Sequence, residues 1–268
     1  MQFNYCVIIA AHDPPPIFYA TLTGLNSKGI PAFIVCSGSN IRFDIQSKFI
    51  RFIKEKNYGV AHKFNTGIKV AIEEGFNLFT LFTDDILLLN DFSPTYIMDY
   101  FNKHCGATDI LSLNFVSEYA NTATHVADFG MTFAAFLANK IMFRDDLVLD
   151  QQDRYFCYQV RKIGGKIISF DKRFIIPSPA GRLVKGKTHY LPSYRLYLLS
   201  RNSIRLFIET GDFYWSKEVL RSLKHLFVAV RFGERRALIA AVLGWADGLL
   251  NRMGITDNLQ RISNNRFR

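Results

Sequence analysis

A chain of 268 residues that is 49% hydrophobic holds enough apolar material for one large core, or a core with an appendage, and is excluded from the disordered class. The net charge of +10 is unevenly placed, with twelve Lys or Arg against four acids from Arg182 to Arg236 and a nearly balanced N-terminal half. Such an excess suits nucleic acid, anionic lipid or phosphate-bearing substrates without choosing among them, and no run approaches the ~18 apolar residues of a membrane span.

The opening residues, MQFNYCVIIAAHDPPP, lack the charged and apolar regions of a secretory leader, so the expectation is a cytoplasmic protein. Cys6, Cys36, Cys105 and Cys157 follow no metal-ligand spacing and read as buried thiols in a reducing compartment. Tyr5 to Ala11 has a buried-strand pattern, broken by His12-Asp13-Pro14-Pro15-Pro16, and Ile17 to Leu25 has helical spacing. Ile30 to Cys36 is a second strand, closed by Ser37-Gly38-Ser39-Asn40. Strand, helix, strand of this kind implies a parallel sheet. Asn57 to Glu74 carries Asn65, Thr66 and Gly67 near the start of a helix that Gly75 ends. Gly and Asn there would let the backbone approach a diphosphate, or would be an ordinary loop-to-helix junction.

Leu78 to Phe82 is the next strand, ending on the adjacent carboxylates Asp84 and Asp85. The carboxyl ends of strands are where open α/β sheets bind ligands, and two neighbouring acids there suit a divalent cation carrying phosphate oxygens. A solvated turn or helix cap is the alternative. Further strands are expected at Asp109 to Phe115, Phe129 to Leu137 and Lys166 to Phe170, with a loop and helix over Asp145 to Arg161. After Pro177 the pattern becomes basic, with helices at Tyr194 to Glu209 and Lys217 to Leu250. These helices suit an anionic membrane surface at the inner face of the cell membrane, or packing on the catalytic domain with a solvated basic side.

Four stretches then resemble, in order, family 2 glycosyltransferases of the rhamnosyltransferase-like branch: NYGVAHKFNTGIKVA, FTLFTDDIL, LDQQDRYFCYQVRKIGGKI, and THYLPSYRLYLLSRN followed by GWADGLLNRMG. The resemblance implies a GT-A fold: α/β, with a mostly parallel central sheet flanked by helices, a catalytic domain over 1–180 and a basic helical extension over 181–268. It also implies inverting transfer of a rhamnose- or galactofuranose-like sugar from a nucleotide-diphosphate donor. The acceptor would be a saccharide or lipid-linked saccharide in cell-envelope polysaccharide synthesis.

On that resemblance Asp153 is the catalytic base and Asp150 the second choice, while Asp85, Asp84 and His189 would hold Mg²⁺ or Mn²⁺. Ala10, His12, Ser37, Asn57, Gly59, Asn65, Asp84, Arg195 and Arg201 would contact the nucleotide sugar, the two arginines through phosphate oxygens. Cys36, Thr83 and Tyr155 depart from the family pattern, where acids are usual, and motivate an alternative, a degenerate saccharide- or partner-binding protein. No nucleic-acid module is recognisable.

Overall fold

The computed structural model describes residues 2–39, 47–113, 130–170, 172, 174–177, 183–185 and 188–264. The chain forms two compact units: Met1–Phe143 with Asp153–Ser178, and Arg144–Gln152 with Pro179–Arg268. The segment Arg144–Gln152 thus belongs with the C-terminal helices, which a single cut of the chain after residue 180 does not anticipate.

The first unit runs β1 (Tyr5–His12), α1 (Pro16–Ser27), β2 (Ala32–Ser37), β3 (Ile50–Lys54), α2 (Val60–Glu73), β4 (Leu78–Thr83), β5 (Ile86–Leu88) and α3 (Pro94–His104). It continues through β6 (Ile110–Ser112), β7 (Met131–Ala134), α4 (Ala135–Ala138), α5 (Gln152–Lys162), β8 (Ile167–Ser169) and β9 (Ile175–Pro177). Seven strands form one sheet in the order β3-β2-β1-β4-β7-β6-β8, parallel except for β7, and β5 pairs separately with β9.

β1 reads as an unbroken apolar run because both its faces are covered. Tyr5, Val7, Ile9 and Ala11 join Phe18, Leu22 and Leu25 of α1 and Ile97 and Phe101 of α3. Cys6, Ile8 and Ala10 face the other way, into Ala61, Phe64 and Ile68 of α2 and Phe156, Cys157 and Val160 of α5. This is a mostly parallel α/β sheet flanked by helices, followed by a helical C-terminal region.

Gly67 is where α2 touches the sheet. A Cβ there would lie 2.4 Å from Ile8 Cγ2 and 3.2 Å from Val35 Cγ2, so this glycine serves helix-to-strand packing. Gly67→Ala should cost about 1–3 kcal/mol of stability, read from the urea midpoint.

β3, β5, α3 and β9 go beyond the sequence-based elements. β3 is a short edge strand whose Arg51 is exposed, and α3 buries only Ile97 and Phe101, so neither carries a strong periodic signal. The strand expected to end at Leu137 stops at Ala134, and Ala135 begins α4. Short apolar runs cannot by themselves separate strand from helix. Asn40, Asn114, Phe115 and Phe129, at the margins of expected elements, lie outside the described residues.

The second unit contains the hairpin of β10 (Leu183–Lys185) and β11 (Thr188–Tyr190), then α6 (Ser193–Thr210), α7 (Phe213–Arg231), α8 (Arg235–Leu249) and α9 (Asp257–Ile262). The single helix expected from Lys217 to Leu250 is two, broken at Gly233, whose φ is 88°. α6 and α8 meet nearly backbone to backbone. A Cβ on Gly244 would come within 2.4 Å of the Tyr197 carbonyl, and one on Gly248 within 2.2 Å of Ile204 Cγ2. Among the described residues no helix is long and apolar enough to cross a membrane.

Candidate active site

In the first unit the chain passes from β1 outward to β2 and β3, then returns to β4 on the other side of β1. In an open α/β sheet the usual ligand position is at such a reversal, here the carboxyl ends of β1 and β4. His12 ends β1, Ser37 ends β2, and Asp84 and Asp85 follow β4.

The side chains at this edge are interlocked. The His12 backbone N–H donates to Asp84 Oδ2 at 2.7 Å, joining the end of β1 to the turn after β4. His12 Nδ1 lies 3.0 Å from Ser37 Oγ, and its Nε2 lies 3.5 Å from Asn57 Nδ2. Lys63 Nζ, buried in the first turns of α2, donates to Asn57 Oδ1 at 3.2 Å. Gly59, with a φ of 103°, is the N-cap residue of that helix. The Thr83 hydroxyl donates to Asp85 Oδ1 at 2.6 Å. Thr83, where the family pattern has an acid, thus orients its neighbour.

Burial pushes the Asp84 carboxyl up to about 6. The His12 N–H opposes this shift, the Asp85 charge adds to it, and the Lys63 ammonium counters it. Beside this group, Asp13 Oδ1 accepts the Ser39 N–H at 3.1 Å. Gly38, with a φ of 105°, leaves room there, since a Cβ would sit 2.3 Å from the same oxygen. Cys36 is turned inward, its thiol raised by burial. Cys36 is therefore part of the core, and Ser37 is the polar end of β2.

Asp153 stands in the first turn of α5. That helix of 11 residues leads through Gly164-Gly165 into β8, which is parallel to β6. A helix entering the amino end of a parallel strand begins at the carboxyl edge of the sheet, so Asp153 is on the same edge as Asp84 and Asp85. Its Oδ1 accepts the Arg154 N–H at 2.8 Å.

Several expected contacts have other partners. Asn65 donates to the Phe143 carbonyl at 2.8 Å and accepts the Phe143 N–H at 3.0 Å, so its amide ties α2 to a distant loop. Ala10 lies in the core beneath α2. Arg201, in the second unit, is fully buried and donates to the carbonyls of Asp146, Leu147 and Gly254, which occupy the fork expected to hold phosphate. Asp150 and Arg195, also in the second unit, form a two-pronged ion pair in which Arg195 contacts both carboxylate oxygens. A carboxylate held this way is tied in place by the guanidinium fork. His189 lies on β11 opposite Val184, and its side chain lies outside the described part.

Lys63 is the residue that sequence reasoning missed. Its signal was a lysine flanked by Ala61 and Phe64 on the inward face of an amphipathic helix, where a cation needs a polar reason to be. A separate cavity of about 490 Å³ at the amino edge, lined by Phe3, Asn77, Phe101, Cys105, Ala134 and Phe136 among others, has no charged side chain in its lining.

Neither protein-family models nor curated proteins match the chain. Among solved structures it is similar to a candidate glucose-1-phosphate thymidylyltransferase from Bacillus anthracis, at 13% identity over 65% of this chain and 89% of that one, with a TM-score of 0.41. It is also similar to A197 from STIV, at 11% identity over 70% and 100% with a TM-score of 0.42. A candidate nucleotide-diphospho-sugar transferase from Desulfovibrio desulfuricans G20 is 10% identical over 86% and 98%, with a TM-score of 0.40.

Proposed function

We propose that the chain is an inverting glycosyltransferase that uses a nucleotide-diphosphate sugar. The observation that carries this reading is the group of His12, Ser37, Asn57, Lys63, Asp84 and Asp85 at the carboxyl edge, across the point where strand order reverses. The ordered motif resemblance supports a rhamnose- or galactofuranose-like donor and a saccharide or lipid-linked acceptor of cell-envelope polysaccharide.

A divalent cation such as Mg²⁺ or Mn²⁺ fits this edge because the donors are hard carboxylate oxygens, one of them already oriented by Thr83. Asp85 and Asp84 would hold it. Among the described residues no group of three His, Cys, Asp or Glu could hold a metal, so phosphate oxygens of the substrate would have to complete its shell. When bound, it supplies charge neutralisation for the departing diphosphate. Lys63 places a second positive charge near Asp84.

Asp153 accepts the proton of the acceptor hydroxyl as that oxygen bonds to the anomeric carbon. The bond from that carbon to the diphosphate breaks, and the diphosphate leaves with the electron pair.

Calorimetric titration with a nucleoside diphosphate tests the donor side. Binding should be at least about tenfold tighter with Mn²⁺ than with chelator, and Asp85→Ala should remove that difference. Equal binding in Mn²⁺ and in chelator would overturn the metal assignment. Transfer from a panel of nucleotide sugars then identifies the donor.

A further inference from the structure

The outer faces of α7 and α8 carry apolar side chains in water. On α7, at 3.6 residues per turn, Phe213, Lys217, Leu220, Lys224, Phe227 and Arg231 fall in one stripe. All six are exposed, Phe213 to 75% and Phe227 to 68%. The opposite stripe, Trp215, Glu218, Ser222 and Ala229, is buried. α8 repeats the arrangement: Leu238, Ile239, Val242, Leu249 and Leu250 just beyond it are exposed, while Ala237, Ala240, Ala241, Gly244 and Gly248 are turned inward.

The charges are sorted as well. From Phe213 to Arg252 there are three acids, of which Glu218 and Asp247 are buried at 5% and 1% exposure, leaving only Glu234 partly exposed. Lys217, Lys224, Arg231, Arg236 and Arg252 are all exposed. Apolar groups interleaved with cations, with the acids withdrawn, match the surface of an anionic bilayer, where acyl chains lie beneath negative headgroups. A second copy would set cation against cation with no exposed acid on either stripe. Nucleic acid would leave the aliphatic side chains without a partner.

We infer that α7 and α8 form a membrane-docking face for an anionic lipid surface, with Phe213, Leu220 and Phe227 entering the headgroup boundary. This does not rest on the transferase reading, because it concerns other residues and needs no substrate.

The test is flotation of the full chain with vesicles of phosphatidylcholine alone or mixed with phosphatidylglycerol. Binding should be at least about tenfold stronger to the mixed vesicles and should weaken as salt is raised. Lys217→Glu/Lys224→Glu/Arg231→Glu should weaken it by about a hundredfold or more, and Phe213→Ser/Leu220→Ser/Phe227→Ser by about tenfold or more. The two variants remove different contributions from exposed positions, and far-ultraviolet circular dichroism checks that each is folded. Phe213→Trp gives an independent readout, since its emission should shift to the blue on anionic vesicles. Equal binding to neutral vesicles, binding untouched by both variants, or no binding by a chain that instead dimerises in sedimentation would overturn the proposal.

Discussion

Arg201→Met should destabilise the second unit by about 3 kcal/mol or more, with a marked fall in the urea midpoint. The guanidinium is fully buried and donates to the carbonyls of Asp146, Leu147 and Gly254, so methionine fills much of the space but leaves those oxygens without a donor. Burial lowers the pKa of Arg201, and Tyr197, Asp146 and Asp247 oppose that shift. Asn202 extends the same clamp. Its amide donates to the carbonyls of Leu147, Leu149 and Asp150 at 2.9, 3.0 and 2.8 Å. This holds a segment in which Val148, Asp150 and Gln151 have φ values of 63°, 60° and 73°, a conformation that side chains resist by about 1–3 kcal/mol each. Arg201→Lys should also fail, because a single ammonium cannot reach three separated carbonyls as a planar fork does. Both tryptophans, Trp215 and Trp245, lie in the second unit, so their fluorescence reports this unfolding directly. A wild-type midpoint in Arg201→Met would contradict the structural role.

Asp153→Asn should lower sugar transfer by about 10²–10⁴-fold while leaving nucleotide affinity near the wild-type value. The amide keeps the shape of the carboxylate and removes its capacity to accept a proton. Asp150→Asn is the control. Its loss should register in stability, because Arg195 would keep only a neutral partner, and the rate per folded molecule should change little. If Asp150→Asn lost transfer and Asp153→Asn retained it, the roles would be reversed.

The legible parts of this chain were those whose physics is local. β1 and β4 are covered on both sides, so their sequences are almost wholly apolar, and the break from Phe82 to Asp84-Asp85 marks a strand meeting solvent. Less legible are the residues whose partners are far along the chain. Asn65 bonds to a backbone 78 residues away and Arg201 to carbonyls 53 to 55 residues away. From sequence both were expected to contact the nucleotide sugar, Arg201 through phosphate oxygens, since an amide or a guanidinium looks the same whether its partner is a ligand or a remote carbonyl. Lys63 shows the reverse error. Lysine is normally a surface residue, and the placement of Asn57 and Asp84, far along the chain or outside the helix, gives it a reason to be inside.

The glycine contacts between α6 and α8 also bear on how this sequence can drift. With Gly244 against the Tyr197 carbonyl and Gly248 against Ile204, the seam has no slack for even one methyl group. Two turns of α8 are therefore held by what Gly244 and Gly248 lack, and side chains can be enlarged without a clash only on its outer half.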